Sequence, residues 1–381
     1  MSGLPEIPDP VKELTTEDYL PFLSVLFKNF TFIKALSYTI DQADYDNLAK
    51  CIVSVSMAFG QTLPMTREII ESEFERNLAT PGSILRGNCV ASKVMGAFSR
   101  MVGKEWMNAC LGSIVQQLVA DESFSLEIDP SKIKPTDSID DNLVNLRGKC
   151  DNIFLRIIDD EVLDIMPIEI KVMSGYTAQM AQKYAEDRMV PLIGGFLFLR
   201  LVNPALITPE TFGILPAGVI PGKNSRRNLT LISKILQNLS NGVEFGKKEP
   251  YMTPCNAFIL DNQERMDQYL SKLAEIALQS IEGISSDTFQ LKEDLLKMSD
   301  IQALHKMIFS SRSKMEAPIL EELSKLPDDG TDHGFAEFLG LLDALGPPAS
   351  AAPKQAGFAK KAVDIEALMA QADALEREQN A

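Results

Sequence analysis

The fold of this chain is decided by the stretch Gly195-Phe-Leu-Phe-Leu-Arg-Leu-Val-Asn-Pro-Ala205. It belongs to a helix that we expect to begin at Pro191. Because that helix is apolar around nearly its whole circumference, it is predicted to lie at the centre of the core. Arg200 is the one charged residue in the stretch, and burying an unpaired guanidinium is costly. Arg200 must therefore reach the surface near the helix end or donate to carbonyl groups of a nearby loop, and the residues alone leave both open.

Helical patterns fill the rest of the chain. Apolar residues recur at helical spacing in one segment after another. Few segments alternate with period two, and no hairpin signal of the Asn-Gly type separates strand-like runs. The pattern predicts an all-α protein. Besides the central helix, it predicts helices over Thr16–Phe27, Gln42–Phe59, Thr66–Leu78, Cys89–Met101, Glu105–Val119, Asp140–Ile165, Tyr176–Arg188, Arg226–Asn241 and Asn256–Leu278.

Four regions are expected in chain order. Residues 1–15 form a Pro-rich arm, residues 16–315 the main helical domain, and residues 316–345 a C-terminal helical extension. Residues 346–381 form a low-complexity linker followed by a tail helix over Asp364–Gln379. Because that helix has no evident place to bury itself, we expect a flexible C-terminal tail, with a docking helix for a partner as the lesser alternative.

Composition argues against several classes of function. A net charge of −16 over 381 residues opposes binding to nucleic acid. Five widely spaced cysteines favour reduced thiols in an intracellular protein, and only two histidines are available for metal or triad chemistry. The chain has no phosphate-binding loop, no nucleophile elbow and no metalloprotease motif. We therefore expect no catalytic site, metal or cofactor of its own.

Two features bear on location. The N-terminus lacks the charged-then-apolar pattern of a signal peptide. The longest apolar run, Val190–Leu199, has ten residues, which is too short to span a membrane. We expect a cytoplasmic protein without a transmembrane segment, whose contact with a membrane would be indirect.

A second stretch, Pro81-Gly-Ser-Ile-Leu-Arg-Gly-Asn88, places an arginine just before a helix. We call it the Arg86 loop. Asn88 is suited to cap the following helix, and Gly87 lets another molecule approach the backbone beside Arg86. We interpret Arg86 as a side chain that points outward to serve the active site of another protein. An ordinary solvated arginine is the alternative from local features.

A third stretch, from Arg226 to Tyr251, carries polar residues on a helix face of their own. Those residues, at positions i, i+3, i+4 and i+7, are Lys234, Gln237, Asn238 and Asn241. Between Gly195 and Leu260 seven Lys or Arg stand against three Glu, a local charge of +4. Such a face is either a solvated surface or the wall of a groove that grips a polar protein partner.

Together these stretches resemble the GTPase-activating domain of the Ras-GAP family. Phe198-Leu-Arg-x-x-x-Pro-Ala205 is similar to the family signature at every fixed position, and Ile84-Leu-Arg-Gly-Asn-x-x-Ala-Ser-Lys93 resembles its arginine-finger loop. Ser233-Lys-Ile-Leu-Gln-Asn-Leu239 and Val243-Glu-Phe-Gly-x-Lys-Glu-Pro-Tyr-Met252 resemble its two later blocks, in the same order. The resemblance covers roughly Thr16 to Ser310. One departure is Leu85, where many members have Phe, so the packing of the loop is expected to differ.

The resemblance implies an elongated, wholly helical domain with a shallow groove for a Ras-family small GTPase in its GTP form. By position, Arg86 would be the arginine finger that reaches the γ-phosphate region of GTP. Arg200 would hold the Arg86 loop through hydrogen bonds to its backbone. GTP and Mg²⁺ would be held by the partner. The candidate GTPase-binding residues are Lys234, Asn238, Asn241 and Lys248.

Two functions stay open at this point. The chain is either a GTPase-activating protein, which completes the active site of a partner in trans and is not itself an enzyme, or a non-catalytic effector or scaffold that grips the same GTPase. The arginine at position 86 favours the first. Which GTPase is bound, and whether the protein is recruited to the inner face of the plasma membrane, the sequence does not say.

Overall fold

The structure is a computed structural model, and it describes residues 14–282, 289–327 and 332–348. The N-terminal arm up to residue 13, the linker beyond residue 348 and the tail helix predicted over Asp364–Gln379 lie outside the described residues. No β-strand occurs within those three ranges, and the all-α prediction is confirmed. The α-helices in chain order are α1 (Thr16–Lys28), α2 (Thr31–Thr39), α3 (Tyr45–Ala58), α4 (Thr62–Arg76), α5 (Val90–Val102), α6 (Lys104–Ala120), α7 (Ile139–Ile157), α8 (Asp160–Asp164), α9 (Ile168–Tyr184), α10 (Met189–Gly194), α11 (Asn203–Ile207), α12 (Lys223–Asn241), α13 (Asn256–Glu282), α14 (Met298–Leu323) and α15 (Phe335–Leu345).

The described residues form two compact units. Unit 1 contains residues 14–65, 289–327 and 332–348, and unit 2 contains residues 66–282. The domain predicted over residues 16–315 includes segments of both units, because helical periodicity continues without a break between them. All of the candidate site residues lie in unit 2.

Unit 1 is built from helices near both ends of the described chain and has an aromatic core. The rings of Phe32 and Phe338 stack with centroids 4.2 Å apart, and Phe22 stacks on Phe338 at 5.8 Å. His305 is fully buried, and its Nδ1 lies 3.1 Å from the hydroxyl of Tyr19. Burial lowers the pKa of His305, so the folded state favours the neutral ring.

Unit 2 is organised around the apolar segment that contains Arg200. Gly195–Val202 continues from α10 as a π-helical segment, and all of its side chains are buried. It packs against α5, α10, α11 and α12. The prediction of a central apolar helix is confirmed, although the helix begins at Met189 rather than Pro191. The helical region Glu186–Ile207 is long and apolar enough to cross a membrane, but 89% of its most apolar window is buried inside the protein, and its place in the core accounts for its composition.

Two other predicted helices differ more from the structure than the rest, whose ends shift by up to four residues. The single helix expected over Asp140–Ile165 ends at Ile157, because the carboxylate of Asp159 caps a new helix by accepting from the N–H of Glu161, at 2.8 Å. The helix expected from Tyr176 instead begins at Ile168, directly after Pro167, and ends at Tyr184. Proline lacks a backbone N–H, and its ring clashes with the preceding turn of a helix. The helix therefore does not extend towards the N-terminus through Pro167, and this sets its start.

Candidate functional site

The Arg86 loop turns tightly between α4 and α5. Residues Pro81–Ser83 form one 3₁₀ turn, and the carbonyl of Ser83 accepts the N–H groups of both Arg86 and Gly87, each at 3.2 Å. Leu85 has a positive φ of 57°, a left-handed conformation that costs an L-residue about 1–2 kcal/mol. Its side chain is nevertheless only 3% exposed. The loop is therefore anchored by the buried residue immediately before Arg86.

The helix after the loop is capped by Cys89, not by Asn88 as the sequence suggested. The Cys89 sulfur accepts from the N–H of Ser92 at 3.4 Å, and the Ser92 hydroxyl lies 3.2 Å from the carbonyl oxygen of Gly87. Ser92 thus ties the start of α5 to the Arg86 loop. The apolar residues Val90, Val94 and Phe98 of α5 are buried, whereas Met101 is 49% exposed.

Arg200 reaches the backbone of the Arg86 loop. Its guanidinium Nη2 donates to the carbonyl oxygens of Leu85 at 3.3 Å and Gly87 at 2.8 Å, and to that of Arg86. The residue is only 9% exposed. Of the two situations that the sequence left open, a surface arginine and a donor to loop carbonyls, the structure has the second. π-helical turns such as the one that carries Arg200 occur frequently at functional sites.

The Arg86 side chain lies near the buried π-helical segment. It is half-buried, and a Cβ added to Gly195 would lie 3.9 Å from both Cγ and Nε of Arg86. A Cβ at that distance would be in ordinary van der Waals contact with the Arg86 side chain.

Helix α12 carries the candidate GTPase-binding residues, and its N-terminus is fixed by a distant carboxylate. Gly222 at the N-cap has no side chain, so Glu122 accepts from the N–H groups of Asn224, at 2.6 Å, and Ser225, at 3.2 Å. The hydroxyl of Ser225 donates to the same carboxylate and, with these N–H groups, lowers the pKa of Glu122. Negative charge at a helix N-terminus is favourable, so Glu122 stabilises the N-terminal end of α12.

Three of the candidate residues lie half-buried along α12. They are Lys234, Asn238 and Asn241. Gly242, at φ 66°, ends the helix with a left-handed cap and turns the chain back, and Lys248 is exposed in the segment that follows.

Gln237 was expected on this polar face but is buried. It is 9% exposed, and its amide oxygen accepts from the side chain of Asn203 at 2.6 Å. A helical periodicity count could not show this, because Asn203 comes from another element.

The charged side chains beside α12 form ion pairs, hydrogen bonds and cation–π contacts within the protein. Lys234 forms an ion pair with Glu249, whose carboxylate also accepts the hydroxyl of Tyr251 at 2.9 Å. The ring of Tyr251 lies between two cations, with centroid distances of 6.0 Å to Lys132 and 5.9 Å to Arg227. Tyr251 therefore lies at the centre of the charged network next to Lys234.

Much of the local positive charge is compensated. Arg226 pairs with Glu210 at 2.8 Å, and Arg227 makes two hydrogen bonds to Glu127 at 2.8 and 2.9 Å. Burial acts to raise the pKa of Glu127, but the hydrogen bond from Arg227 and its charge leave it lowered overall. The +4 balance counted along the sequence thus overstates the charge offered to a partner, since Glu127 comes from outside the counted range.

The π-helical segment connects the two halves of the site. The Arg86 loop is bonded to it through Arg200, and α12 packs on it directly. The structure therefore places Arg86, Arg200 and the α12 residues in one unit around one buried segment. Within the described residues, no cluster of three or more His, Cys, Asp or Glu is arranged to hold a metal ion.

Sequence reasoning missed Glu73 on α4. Its side chain is half-buried, and burial raises its pKa, while Cys89 and Leu85 act to lower it. A signal was available: Glu73 follows Ile69 and Ile70 by four and three residues, so it lies on the apolar face of α4, unlike a solvated glutamate.

The chain is similar in sequence to a protein family and to several known proteins. A family model described as "GTPase-activator protein for Ras-like GTPase" matches residues 65–139 and 134–241. Neurofibromin-A of Dictyostelium discoideum is 35% identical over 291 residues, which cover 71% of this chain and 32% of that protein. RAS protein activator like-3 of Mus musculus is 31% identical over 243 residues, 64% of this chain and 23% of that protein.

A further relative shows the same partial coverage. The probable Ras GTPase-activating-like protein ngap of Dictyostelium discoideum is 24% identical over 335 residues, 87% of this chain and 37% of that protein. The chain thus spans between about a quarter and somewhat over a third of the length of these relatives. The matched region contains the Arg86 loop, Arg200 and all of α12.

Proposed function

Because this chain carries a domain of the Ras-GAP family, we propose that it stimulates GTP hydrolysis by a Ras-family small GTPase in its GTP form, with Arg86 as an arginine finger. The family expected from the sequence resemblance is confirmed by the family model and the relatives. Proteins of this family activate the GTPase they bind and are not enzymes themselves. In this proposal GTP and Mg²⁺ belong to the partner, and this chain supplies side chains that complete the partner's site.

The observation that carries the proposal is the hold of Arg200 on the Arg86 loop. A buried guanidinium bonded to the carbonyls of three successive residues fixes the backbone from which Arg86 extends. A surface arginine with no task beyond solubility needs no such support. Preorganised donors are effective in catalysis because the cost of arranging them is met before the reaction begins.

The chemistry suits an arginine. Phosphoryl transfer spreads negative charge over the equatorial oxygens of the transferred group, and an arginine donates to two of them through its planar fork while staying charged when water is expelled. Ras with its activating protein is the system that gives the general rate gain from such a finger, about 10³–10⁵. We expect a gain in that range from Arg86.

We further propose that Lys234, Asn238, Asn241 and Lys248 bind the GTPase beside the finger. The pairing of Lys234 with Glu249 holds the ammonium group in place before the partner arrives. A preordered side chain loses less conformational entropy on binding. The compensated charges around α12 mean that this surface contributes orientation more than long-range attraction.

We propose a cytoplasmic location, with any contact to a membrane made indirectly. The described cysteines support it, since all five are free thiols.

The test is single-turnover GTP hydrolysis by Ras-, Rap- and Rho-class GTPases with wild-type protein, Arg86→Ala and the control Arg147→Ala. Arg147 is an exposed arginine on α7 paired with Asp261. We expect the wild type and the control to accelerate hydrolysis, and Arg86→Ala to lose about 10³-fold while still binding the GTP-loaded partner. Equal rates for wild type and Arg86→Ala would refute the finger. Wild-type binding without acceleration would favour the alternative, a non-catalytic effector or scaffold.

A further inference from the structure

The feature that carries a further inference is the carboxylate of Glu249, which two side chains share. Its Oε1 atom forms the ion pair with Lys234 and accepts the hydroxyl of Tyr251 at 2.9 Å. The Glu249 side chain is only 17% exposed, so solvent has limited access to this oxygen. Because both contacts are made to one atom, the loss of either partner changes the position in which the other finds the carboxylate.

A well-anchored turn carries both Glu249 and Tyr251. The 3₁₀ turn Pro250–Cys255 begins directly after Glu249, and the N–H of Met252 donates to the Glu249 carbonyl at 2.9 Å. The proline at the start of the turn fixes its own φ. The Met252 side chain is fully buried. The carboxylate and the hydroxyl therefore extend from a backbone that is already ordered in the protein alone.

Two cations hold the ring of Tyr251. The guanidinium of Arg227 and the ammonium of Lys132 lie 5.9 and 6.0 Å from the ring centroid, at the distance where a cation is attracted to an aromatic ring. Arg227 is fixed in turn by its two hydrogen bonds to Glu127, at 2.8 and 2.9 Å. Burial raises the pKa of Tyr251, which favours the protonated hydroxyl and so its role as the donor to Glu249.

We propose that Tyr251 is a positioning residue for Lys234: its hydroxyl orients the Glu249 carboxylate, and the carboxylate places the Lys234 ammonium group for the GTPase. Lys234 extends from α12, whereas the other two side chains extend from the turn after it, so the hydrogen bond joins two elements. A lysine side chain samples many rotamers, and fixing it before the partner arrives reduces the entropy lost on binding. This inference rests on the proposed function, since it assigns a task to Tyr251 only if Lys234 binds a GTPase.

The binding experiment compares Tyr251→Phe with the control Tyr184→Phe, on the GTPase that the wild type activates, loaded with a non-hydrolysable GTP analogue. Each substitution removes one hydroxyl that bonds to a glutamate, but Tyr184 lies on α9 and bonds to Glu75 at 3.3 Å. We expect Tyr251→Phe to raise Kd about fivefold, because Lys234 is less well placed. The saturating rate of hydrolysis should change less than about twofold, because the Arg86 loop is untouched. Tyr184→Phe should match wild type in both measurements.

A double-mutant cycle separates positioning of Lys234 from a direct contact or from general damage to the fold. In a Lys234→Ala background the group to be positioned is gone, so Tyr251→Phe should cause no further rise in Kd. An equal rise with and without Lys234 would overturn the proposal, because Tyr251 would then act on something other than this lysine. Tighter binding by Tyr251→Phe would overturn it as well, since the carboxylate would then mask the ammonium group.

Urea unfolding of the protein alone makes the test independent of any GTPase. We expect Tyr251→Phe and Lys234→Ala to be coupled through Glu249, so that the unfolding equilibrium constant of the double variant differs at least about threefold from the product of the single effects. Tyr184→Phe and Lys234→Ala should combine without coupling. Independent effects of Tyr251→Phe and Lys234→Ala, together with an active wild type, would overturn the role of Tyr251 and leave the proposed function standing. Wild-type protein that stimulates no GTPase would overturn the proposed function itself, and the positioning role with it.

Discussion

Removing the Arg200 guanidinium tests how much of the proposed activity depends on a rigid Arg86 loop. In the structure one nitrogen, Nη2, donates to the carbonyls of Leu85, Arg86 and Gly87. A hydrogen bond from a charged donor contributes about 1.5–3 kcal/mol, but three acceptors sharing one nitrogen do not add fully. We take about 3 kcal/mol for the set, against about 1–2 kcal/mol of backbone cost at Leu85.

Those magnitudes predict the loss. Without the guanidinium, the conformation that presents Arg86 loses about 3 kcal/mol relative to others, and each 1.36 kcal/mol is tenfold. With the guanidinium the conformation is favoured by about 1–2 kcal/mol net, and without it the backbone cost disfavours it by about the same amount. The fraction of molecules with a competent loop, and with it the saturating rate, should therefore fall about tenfold in Arg200→Ala. Arg200→Lys keeps the charge but offers a compact ammonium instead of a planar fork, so we expect a smaller loss of about two- to threefold.

The assay is stopped-flow hydrolysis at saturating activator, with affinity for the GTP-loaded GTPase measured separately. Arg156→Ala is the matched control, because Arg156 also donates to a backbone carbonyl, that of Ala109 at 3.2 Å, but on α6 instead of the Arg86 loop. Folding of each variant is checked by thermal melting. A saturating rate for Arg200→Ala within about threefold of wild type would refute the reasoning, because the loop would then hold its conformation without this residue.

Three further outcomes follow from the fold and the groove. Gly175→Ala should lower the free energy of unfolding, measured in urea, by about 2–3 kcal/mol, because the new Cβ would lie 2.3 Å from the carbonyl oxygen of Ala277. The control Gly148→Ala has nothing within 4 Å of the new Cβ, so its free energy of unfolding should be unchanged or higher by up to about 1 kcal/mol. Burial lowers the pKa of His305 from 6.5, so the neutral ring stabilises the folded state above pH 6.5, and this stabilisation is lost as the pH falls through 6.5 toward the folded-state pKa. The melting temperature of the wild type should therefore fall more on acidification than that of His305→Gln, and equal decreases would contradict this. Lys234→Ala should weaken binding of the GTP-loaded partner more than it slows hydrolysis in the complex, and an unchanged Kd would count against the groove.

The central helix could be predicted because its signal does not depend on context. A segment apolar on every side has nowhere to lie except the core, whatever surrounds it. Its π-helical geometry could not be predicted in the same way, since Gly195–Val202 would be equally apolar as an α-helix. Composition therefore located the segment, while the hydrogen-bond register that aims Arg200 depends on the packed neighbours.

The same distinction applies to the residues of the candidate site: some are predicted by motifs along the chain, and others depend on contacts between elements. Arg86, Arg200 and Lys234 could be proposed from the sequence because each belongs to a motif along the chain. Gln237 was misplaced, because its partner Asn203 comes from a different element. A contact between elements decided this error, and the sequence of a single helix does not encode it.

The departure from the family at Leu85 can now be judged physically. A fully buried leucine contributes about 1.5–3 kcal/mol, and a left-handed residue costs about 1–2 kcal/mol, so the side chain and the backbone of Leu85 nearly cancel. The loop conformation that presents Arg86 must then be selected by the hydrogen bonds to the loop backbone, among them those from Arg200. On this argument an aromatic residue at position 85 would add apolar contact and make the loop less dependent on Arg200. In Leu85→Phe, the rate loss caused by Arg200→Lys should shrink.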